Sequence, residues 1–399
     1  MLLIYHTHLQ EYLSPEQIVF IEMLLRVIQV FKEIKIEKLA GRIPLPIKFE
    51  SRRKAIQRFL LERALDISLL WLPIIKQIVD RKMSKPKHRT KKKDRVERKT
   101  IYLAMDRTQW QEHNILMVAI IIDKRALPIY WEFLDKKGCS NLAEQQQVLR
   151  PVFKLFSEYQ IFLLGDREFR GVYLAAWLTQ LKIKYVFRIK GGTWVETSNG
   201  QLCLVNELEC KSGSRYFYES VNLTKTKGFG CSNLVVYWKR KYRGRQPKEA
   251  WYLATNLDNA DAAISAYNQA FAASGNNRRM GIEMMFRDCK LGGDHLEGSK
   301  ASTPRLNSLV LLIAVAYTQS CLQGNKYRST STSKYIGRDQ KLRYDTSDTS
   351  RFWLGNYAND WLMMMDLMSN SVGLLMLHRP QHRLNFLKGL DAVNSLVPW

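Results

Sequence analysis

Acidic residues are scarce in this 399-residue chain relative to basic ones. Lys and Arg number 62 against 37 Asp and Glu, which gives a formal net charge of +25. Such an excess destabilises a compact fold through self-repulsion unless a polyanion neutralises it. A nucleic acid is the natural polyanion, because neutralising its phosphates releases bound counterions. The composition therefore predicts a nucleic-acid partner, which the motifs described below narrow to double-stranded DNA.

Long hydrophobic runs and paired cysteines are also missing, and the sequence predicts no leader segment. The longest apolar run, Leu309 to Tyr317, is too short to cross a bilayer, so no membrane partner is expected. The first residues lack a basic segment before the apolar ones, so no signal peptide is expected. The six cysteines have no CxxC spacing and the seven histidines do not cluster with them, which argues against a zinc site. We expect reduced thiols in a cytoplasmic protein.

The N-terminal 99 residues are predicted to form a helical DNA-binding domain (1–80) and a basic linker (81–99). Ser14 to Gln17 is a capping box with proline at the first helical position, which predicts a helix. Arg52 and Arg53 lie on a basic helix that could enter a DNA groove, although a solvated helix face fits equally well. In the linker, Lys91, Lys92 and Lys93 are candidate phosphate contacts.

Beyond residue 100 the pattern is three strands, a helix, a strand, a helix and a strand. This order predicts an α/β fold with a ribonuclease-H-like core, a mixed five-stranded sheet with helices. We assign the core to residues 100–190 and 249–325, with a β-rich insertion at 191–248. Residues 326–399 are predicted to be a helical region for end binding or dimerisation.

Three carboxylates are the candidate catalytic residues and metal ligands. Asp106 and Asp166 are each predicted to end a strand, and ligands bind open sheets at that end. Glu283 lies on a predicted helix whose apolar face anchors it. Each Asp alone fits a strand-end turn, but all three together would hold two divalent cations about 4 Å apart. With only oxygen ligands offered, Mg²⁺ or Mn²⁺ is expected. Arg279 and Lys290 share a helix face with Glu283 and could meet flanking phosphates.

The motifs around these residues resemble those of DDE transposases of bacterial insertion sequences. They are Leu103 to Trp110, Gly165 to Phe169, and the spacing Arg279-x-x-x-Glu283-x6-Lys290. The last motif resembles the Tyr-x-x-Arg-x-x-x-Glu-x6-Lys signature of the fourth insertion-sequence family. One departure is plain, because Asn276 occupies the position of the signature Tyr.

The resemblance implies cut-and-paste transposition in the bacterial cytoplasm, at the nucleoid. Two Mg²⁺ or Mn²⁺ ions would act within a homodimeric complex of paired DNA ends. Water would cleave one strand, and the freed 3′-hydroxyl would form a hairpin that is later opened and joined to target DNA. Hairpin formation needs a flipped base, and Trp194 is the candidate stacking residue, with Trp238 as second choice. Asn276 keeps a hydrogen-bonding tip but lacks the ring and reach of Tyr, so weakened hairpin handling, reduced activity and an unchanged activity are all open.

Two other functions fit the same residues. A structure-selective nuclease of this fold would cut DNA without joining strands. A catalytically silent DNA-binding protein derived from a transposase would bind ends without cutting them.

Overall fold

The structure is a computed structural model that describes residues 3–84, 99–110, 113–123, 125–197, 199–224, 230–240, 249–271, 281–290, 301–328, 330, 332–337 and 350–396. The chain divides into two compact units. One comprises Met1–Ile78 with Arg287–Trp399, and the other is Val79–Phe286. The N- and C-terminal helical regions, which the sequence separates, therefore belong to one unit.

The described elements follow in chain order. The first helices are α1 (Leu3–Tyr12), α2 (Pro15–Phe31), α3 (Ile36–Arg42), α4 (Phe49–Phe59), a π-helical turn (Ile67–Trp71) and α5 (Leu72–Ser84). The next elements are β1 (Thr100–Trp110), β2 (His113–Ile122), β3 (Arg125–Leu134), α6 (Leu142–Leu155), β4 (Gln160–Gly165), α7 (Val172–Gln180) and β5 (Lys184–Arg188). They are followed by β6 (Trp194–Glu196), β7 (Leu202–Leu204), β8 (Arg215–Leu223), β9 (Gly230–Tyr237), β10 (Trp251–Thr255), α8 (Ala260–Phe271) and α9 (Gly281–Cys289). The last are α10 (Thr303–Arg328), α11 (Ser333–Ile336), α12 (Arg351–His378) and α13 (Arg383–Leu396).

The capping box predicted before α2 is confirmed. The Ser14 hydroxyl accepts a hydrogen bond from the Gln17 backbone N–H at 3.3 Å, and the Gln17 side chain accepts one from the Ser14 N–H at 3.0 Å. These bonds satisfy two of the amide groups that a helix start leaves unpaired. The helix then buries one apolar face in the helical unit, including Ile21, Leu24 and Ile28.

Helices α10 and α12 cross with their backbones in close contact at two glycines. A Cβ atom added to Gly324 would lie 1.8 Å from the Arg351 carbonyl oxygen, and one added to Gly355 would lie 2.1 Å from the Ser320 carbonyl oxygen. Only glycine fits such a crossing. Beside it, the buried Ser320 hydroxyl donates to the Asn356 side chain at 2.6 Å, and Gln29 of α2 donates to Ser320 at 3.2 Å. The crossing therefore combines close backbone packing with a buried polar link to α2.

Helix α10 is long and apolar enough, by length and composition, to cross a membrane. The strictly apolar run within it, Leu309 to Tyr317, is short, but the helix as a whole is a candidate by these criteria, which the sequence analysis did not predict. In the protein, 89% of its apolar window is buried, as expected for the central helix of a helical core.

The described strands form one ten-stranded sheet in the order β3-β2-β1-β4-β5-β10-β9-β8-β6-β7. The predicted meander is confirmed, since β1, β2 and β3 pair antiparallel in sequence. Strand β1 also pairs in parallel with β4, and β4 with β5. The sheet is therefore mixed and flanked by helices in sequence, as an α/β fold requires.

The prediction of a five-stranded sheet is wrong, because the described sheet contains ten strands. Strand β10 pairs antiparallel with β5 on one side and with β9 on the other, so the β-rich insertion continues the same sheet. The physical reason is that β5 would otherwise be an edge strand, with backbone N–H and C=O groups that have no hydrogen-bond partner in the sheet. The insertion adds a core of its own that includes Val195, Val221, Leu234 and Val236.

We expect Gly324→Ala to lower the free energy of unfolding by more than about 2 kcal/mol, because the added methyl group forces α10 and α12 apart. The measurement is urea unfolding followed by circular dichroism. Gly373→Ala is the matched control, since nothing lies within 4 Å of a Cβ at that position of α12. The control should be neutral or stabilising by up to about 1 kcal/mol. Equal effects of the two substitutions would contradict the packing described for the crossing.

Candidate active site

The parallel pairing of β1 and β4 places Asp106 beside Asp166. Residues pair from Thr100 with Gln160 through Met105 with Gly165, and the next residue on each chain is an aspartate. The prediction that both Asp residues end a strand is wrong for Asp106. Strand β1 continues to Trp110, because β2 pairs with it along this whole length. Asp106 instead lies one residue beyond Met105, the last residue of β1 that pairs with β4.

A glycine and two backbone hydrogen bonds shape the end of β4. A Cβ atom on Gly165 would lie 2.9 Å from the Phe169 ring and 3.0 Å from the Phe187 ring, so a larger residue would push this turn outward. The Asp166 carboxylate accepts a hydrogen bond from the Glu168 N–H at 2.8 Å. Across the sheet, Asp106 accepts one from the Arg107 N–H at 2.8 Å. Backbone donors therefore orient both carboxylates.

The two aspartates and Glu283 repel one another electrostatically. Burial, followed by the charges of Asp166, Glu283 and Glu168, raises the pKa of Asp106 to about 8, although the Arg107 N–H opposes the shift. Burial also raises the pKa of Asp166, with Arg107 and Arg167 acting in the opposite direction. Burial and the charge of Asp166 raise the pKa of Glu283. Mutual repulsion of this kind requires the carboxylates to be neighbours.

Helix α9 presents Glu283 from an anchored face. Ile282, Met285, Phe286 and Cys289 are all buried, as the predicted apolar face requires, whereas the Glu283 side chain is exposed. Among the described residues, no three His, Cys, Asp or Glu side chains converge closely enough to hold a metal ion. Glu283 is therefore exposed on its helix, whereas backbone N–H groups donate hydrogen bonds to the two aspartates.

A polar network that the sequence reading missed lies next to both aspartates. The Arg107 guanidinium donates to the two Glu168 carboxylate oxygens at 2.9 and 3.2 Å, and both side chains are largely buried. Ser140 donates its N–H and hydroxyl to Glu168, each at 2.9 Å, and Arg107 also donates to Asn114 at 3.0 Å. The sequence indicated this network only through the closeness of its residues to the two aspartates, since Arg107 follows Asp106 and Glu168 lies two residues after Asp166. Their pairing requires the β1–β4 register.

Tyr267 is a second residue that sequence reasoning missed. It is buried on α8 and packs edge-on against Trp251, with ring centroids 5.1 Å apart. Burial raises the pKa of its hydroxyl to about 12, and the negative charges of Asp166 and Glu283 act in the same direction. Its phenol therefore stays protonated beside the carboxylates. A single tyrosine in a helix gives no signal of this position in the sequence.

A cavity of about 510 Å³ adjoins the network, lined by residues that include Glu168, Arg170, Tyr173, Thr193 and Trp194. Tyr173 is 61% exposed and Trp194 is 37% exposed. The buried Thr193 hydroxyl has no hydrogen-bond partner among the described residues. An open cavity lined by two exposed rings suits a flat ligand. Trp238, the second stacking candidate, instead packs partly buried against the core of the insertion.

Most of the remaining candidate DNA contacts cannot be assigned a position in the fold. Arg279, Asn276, Lys91, Lys92 and Lys93 lie outside the described residues. Lys290 lies in the turn that follows α9. On α4, Arg53 pairs with Glu50 at 3.0 Å, whereas Arg52 donates to the Leu45 carbonyl at 3.5 Å. The pairing of Arg53 is typical of a solvated helix face, so both alternatives for α4 stay open.

The raised pKa of Asp106 predicts a pH-dependent stability without divalent ions. Because the folded state holds this proton to about pH 8 and the unfolded chain only to about pH 4, the protonated carboxyl stabilises the fold at low pH. This stabilisation is lost as the pH rises towards 8. In EDTA, the stability of Asp106→Asn relative to the wild type should therefore increase as the pH rises from about 5 to about 8. The change in the difference between their free energies of unfolding should reach roughly 2–5 kcal/mol. Urea unfolding across this range measures the difference, and a constant difference would contradict the assignment.

We expect Glu168→Gln to destabilise the sheet unit by roughly 1–3 kcal/mol, because it leaves the largely buried Arg107 charge uncompensated. Glu249→Gln is the matched control. Glu249 also accepts from arginines, Arg167 and Arg188, but its side chain is 50% exposed. Loss of that exposed pair should cost less than about 1 kcal/mol. Thermal unfolding measures the stability of both variants. An equal loss of stability in Glu249→Gln would show that the Arg107–Glu168 pair stabilises the fold no more than an exposed ion pair does.

Similarity to known proteins assigns no role to the residues of this site. No protein-family profile and no curated protein matches the chain. A piggyBac transposase synaptic complex with hairpin DNA, determined by cryo-EM, is similar at a TM-score of 0.41 and 14% identity, covering 97% of this chain and 77% of that chain. The Marinitoga piezophila Argonaute with a 5′-OH guide RNA and target DNA is similar at a TM-score of 0.27 and 11% identity, covering 49% of this chain and only 30% of that chain. At TM-scores this low, neither likeness assigns a fold or an activity.

Proposed function

We propose that this chain is a DNA transposase that cleaves the ends of an insertion sequence and joins them to target DNA. The observation that carries the proposal is the electrostatic coupling of Asp106, Asp166 and Glu283, three carboxylates with raised pKa values on two neighbouring strands and a helix. Perturbed carboxylates of this kind concentrate at catalytic and metal-binding sites. The motifs that contain them resemble those of DDE transposases, and no other carboxylate cluster in the described residues combines these features.

The fold supports this proposal through its strand order. The segment β3-β2-β1-β4-β5, with β1 and β4 parallel and helices α6 and α7 between the later strands, is the arrangement expected of a ribonuclease-H-like core. Asp106 and Asp166 lie at the end where the parallel strands stop, which is where ligands of open sheets bind. We therefore propose that the β-rich insertion extends such a core rather than forming a separate body.

The donor set fits two divalent cations such as Mg²⁺ or Mn²⁺. Asp106, Asp166 and Glu283 would hold them, because carboxylate oxygens are the ligands these ions prefer and their mutual repulsion is relieved by positive charge. When bound, such ions activate the attacking water or hydroxyl and stabilise the leaving oxygen. The backbone N–H groups of Arg107 and Glu168 orient the two aspartates for this role. The exposed Glu283 completes the set by turning towards them.

Several basic residues would position DNA around this centre. The net charge of +25 supplies the attraction to phosphates. Arg279 and Lys290, with Asn276 at the signature position, would contact the phosphates flanking the reacting bond. Arg52 and Arg53, with Lys91, Lys92 and Lys93, would contact the duplex. Two chains would act on paired ends at the bacterial nucleoid.

The cavity beside Glu168 would receive the base that hairpin formation displaces. Trp194 and the exposed Tyr173 offer ring faces for stacking, and each stacked base is worth roughly 1–3 kcal/mol. The proposed stacking site and the three carboxylates would then belong to the same unit, Val79–Phe286.

A plasmid that carries the element's own ends tests the proposal in the presence of Mg²⁺. Glu283→Gln should lower end cleavage by at least about 10³-fold, because it removes a metal-binding carboxylate while keeping the shape of the side chain. Glu219→Gln, an exposed position on β8, is the matched control and should cleave normally. Cleavage by Glu283→Gln at the wild-type rate would refute the assignment.

Intermediates in the same assay separate the alternatives. Trp194→Ala should nick DNA but accumulate unjoined nicks instead of hairpins, and Trp194→Phe should restore hairpins by restoring a stacking ring. Wild-type protein that cuts without joining would indicate a nuclease. Tight binding of the ends without cleavage would indicate a catalytically silent DNA-binding protein.

A further inference from the structure

A cavity of about 250 Å³ lies in the helical unit and is lined by residues of α2, α10 and α12. That volume is several times the roughly 30 Å³ that one water molecule occupies in the liquid. It lies just below the range of roughly 300–1,000 Å³ that is typical of small-molecule sites. The lining residues all belong to the unit of Met1–Ile78 and Arg287–Trp399. The cavity therefore has room for a small ring system and shares no residue with the candidate active site.

Primary amides line the cavity, and one of them has no partner. Gln319 of α10 is only 6% exposed, yet it makes no hydrogen bond with any residue that the structure describes. Gln29 of α2 donates to the Ala316 carbonyl at 3.1 Å and to the Ser320 hydroxyl at 3.2 Å, which leaves its own carbonyl oxygen as an acceptor. A buried amide without a partner disfavours the folded state. Gln319 therefore indicates a ligand that supplies the missing hydrogen bonds.

Two further amides, those of Gln323 and Asn359, use only part of their bonding capacity. Asn359 donates to the Gln323 carbonyl oxygen at 3.4 Å, so the Gln323 amino group can donate and the Asn359 carbonyl oxygen can accept. Gln319 and Gln323 lie one turn apart on α10 and so line the cavity from the same helix face. The cavity therefore offers uncharged donors and acceptors together.

Apolar side chains form much of the remaining lining, namely Val19, Met23, Leu25 and Leu362. This combination suits a ligand that has apolar faces and an edge of alternating donors and acceptors, and a nucleobase is such a ligand. Primary amides bond base edges through paired donor and acceptor atoms. A sugar would place hydroxyl groups against the apolar residues, and a free amino acid would place two charges among uncharged amides. The lining therefore favours a base.

Two oppositely charged residues of α2, Glu22 and Arg26, also line the cavity. Neither forms an ion pair with any residue that the structure describes, although they lie one turn apart. Arg26 is exposed and Glu22 is partly buried. An exposed guanidinium binds phosphate oxygens through charge-assisted hydrogen bonds, and a carboxylate accepts hydrogen bonds from hydroxyl groups. These two residues are therefore suited to the phosphate and the sugar of a nucleotide whose base lies among the amides.

We propose that this cavity binds a free mononucleotide, with the base held by the amides of α2, α10 and α12 and the phosphate held by Arg26. The proposal goes beyond the proposed function, because no candidate metal ligand and no step of DNA cleavage or joining enters the argument. The two claims can fail separately, since nucleotide binding is measurable without DNA or divalent ions.

Isothermal titration calorimetry of the full chain tests the proposal with adenosine, guanosine, cytidine and uridine. The buffer contains about 0.3 M salt, so that general attraction of phosphate to the basic chain is screened. At least one nucleoside should bind with a dissociation constant below about 1 mM. Its 5′-monophosphate should bind roughly 2- to 5-fold more tightly, through Arg26. Ribose 5-phosphate, which lacks a base, should bind at least about 10-fold more weakly than that monophosphate.

Three variants assign the binding to the cavity. Gln319→Leu should raise the dissociation constant of the nucleoside by at least about 10-fold, because it removes the unpartnered amide. Urea unfolding without ligand should show that this variant is at least as stable as the wild type, since that amide has no hydrogen bond to lose. Gln57→Leu, at a partly buried position of α4 in the same unit, is the matched control and should bind normally. Arg26→Ala should remove the preference for the monophosphate and leave nucleoside binding unchanged.

Several results would overturn the proposal. One is a wild type that binds none of the four nucleosides below about 1 mM, which would leave the cavity to water. Another is nucleoside binding that Gln319→Leu leaves unchanged, or that Gln57→Leu weakens equally. A third is a short single-stranded oligothymidylate that binds in a Gln319-dependent manner when the nucleosides do not, since that result assigns the cavity to a nucleic-acid chain.

Discussion

Like-charge repulsion between carboxylates at the end of a parallel strand pair is the constraint on which the candidate site depends. Asp106 and Asp166 are brought side by side by the β1–β4 register, and burial leaves Asp106 with a pKa of about 8. A sheet would not retain such an arrangement for stability, because each buried charge disfavours the folded state. Its retention is accounted for by a function that requires clustered negative charge, and divalent cation binding is such a function.

The surrounding structure keeps these charges together. Gly165 lets β4 end close to two phenylalanine rings, and the backbone N–H groups of Arg107 and Glu168 hold the aspartates in place. The Arg107–Glu168 ion pair then ties β1 to the turn after β4. Glu283 differs from the aspartates, since its helix is anchored by buried apolar residues while its carboxylate remains exposed. Under the proposed function, the two aspartates and the exposed Glu283 would form the metal site when cations and DNA bind.

The sequence predicted the local elements well and the long-range pairings less well. The capping box before α2, the three-strand meander and the apolar face of α9 follow from patterns that are local in the sequence, and the structure confirms each of them. The continuation of the sheet into the insertion could not be predicted, because it depends on β10 pairing with both β5 and β9. The same holds for the extension of β1 past Asp106. Glu168 and Tyr267 were missed since their partners are distant in sequence and their residue types are common.

Binding of Mn²⁺ followed by electron paramagnetic resonance tests the central claim most directly, because it counts bound ions without requiring a cleavable substrate. With duplex DNA present, the wild type is predicted to bind two Mn²⁺ ions per chain whose spins couple, as expected for ions about 4 Å apart. Asp166→Asn should abolish the coupled signal, and Glu219→Gln should retain it. Mn²⁺ binding that is absent in the wild type, or unchanged in Asp166→Asn, would contradict the account.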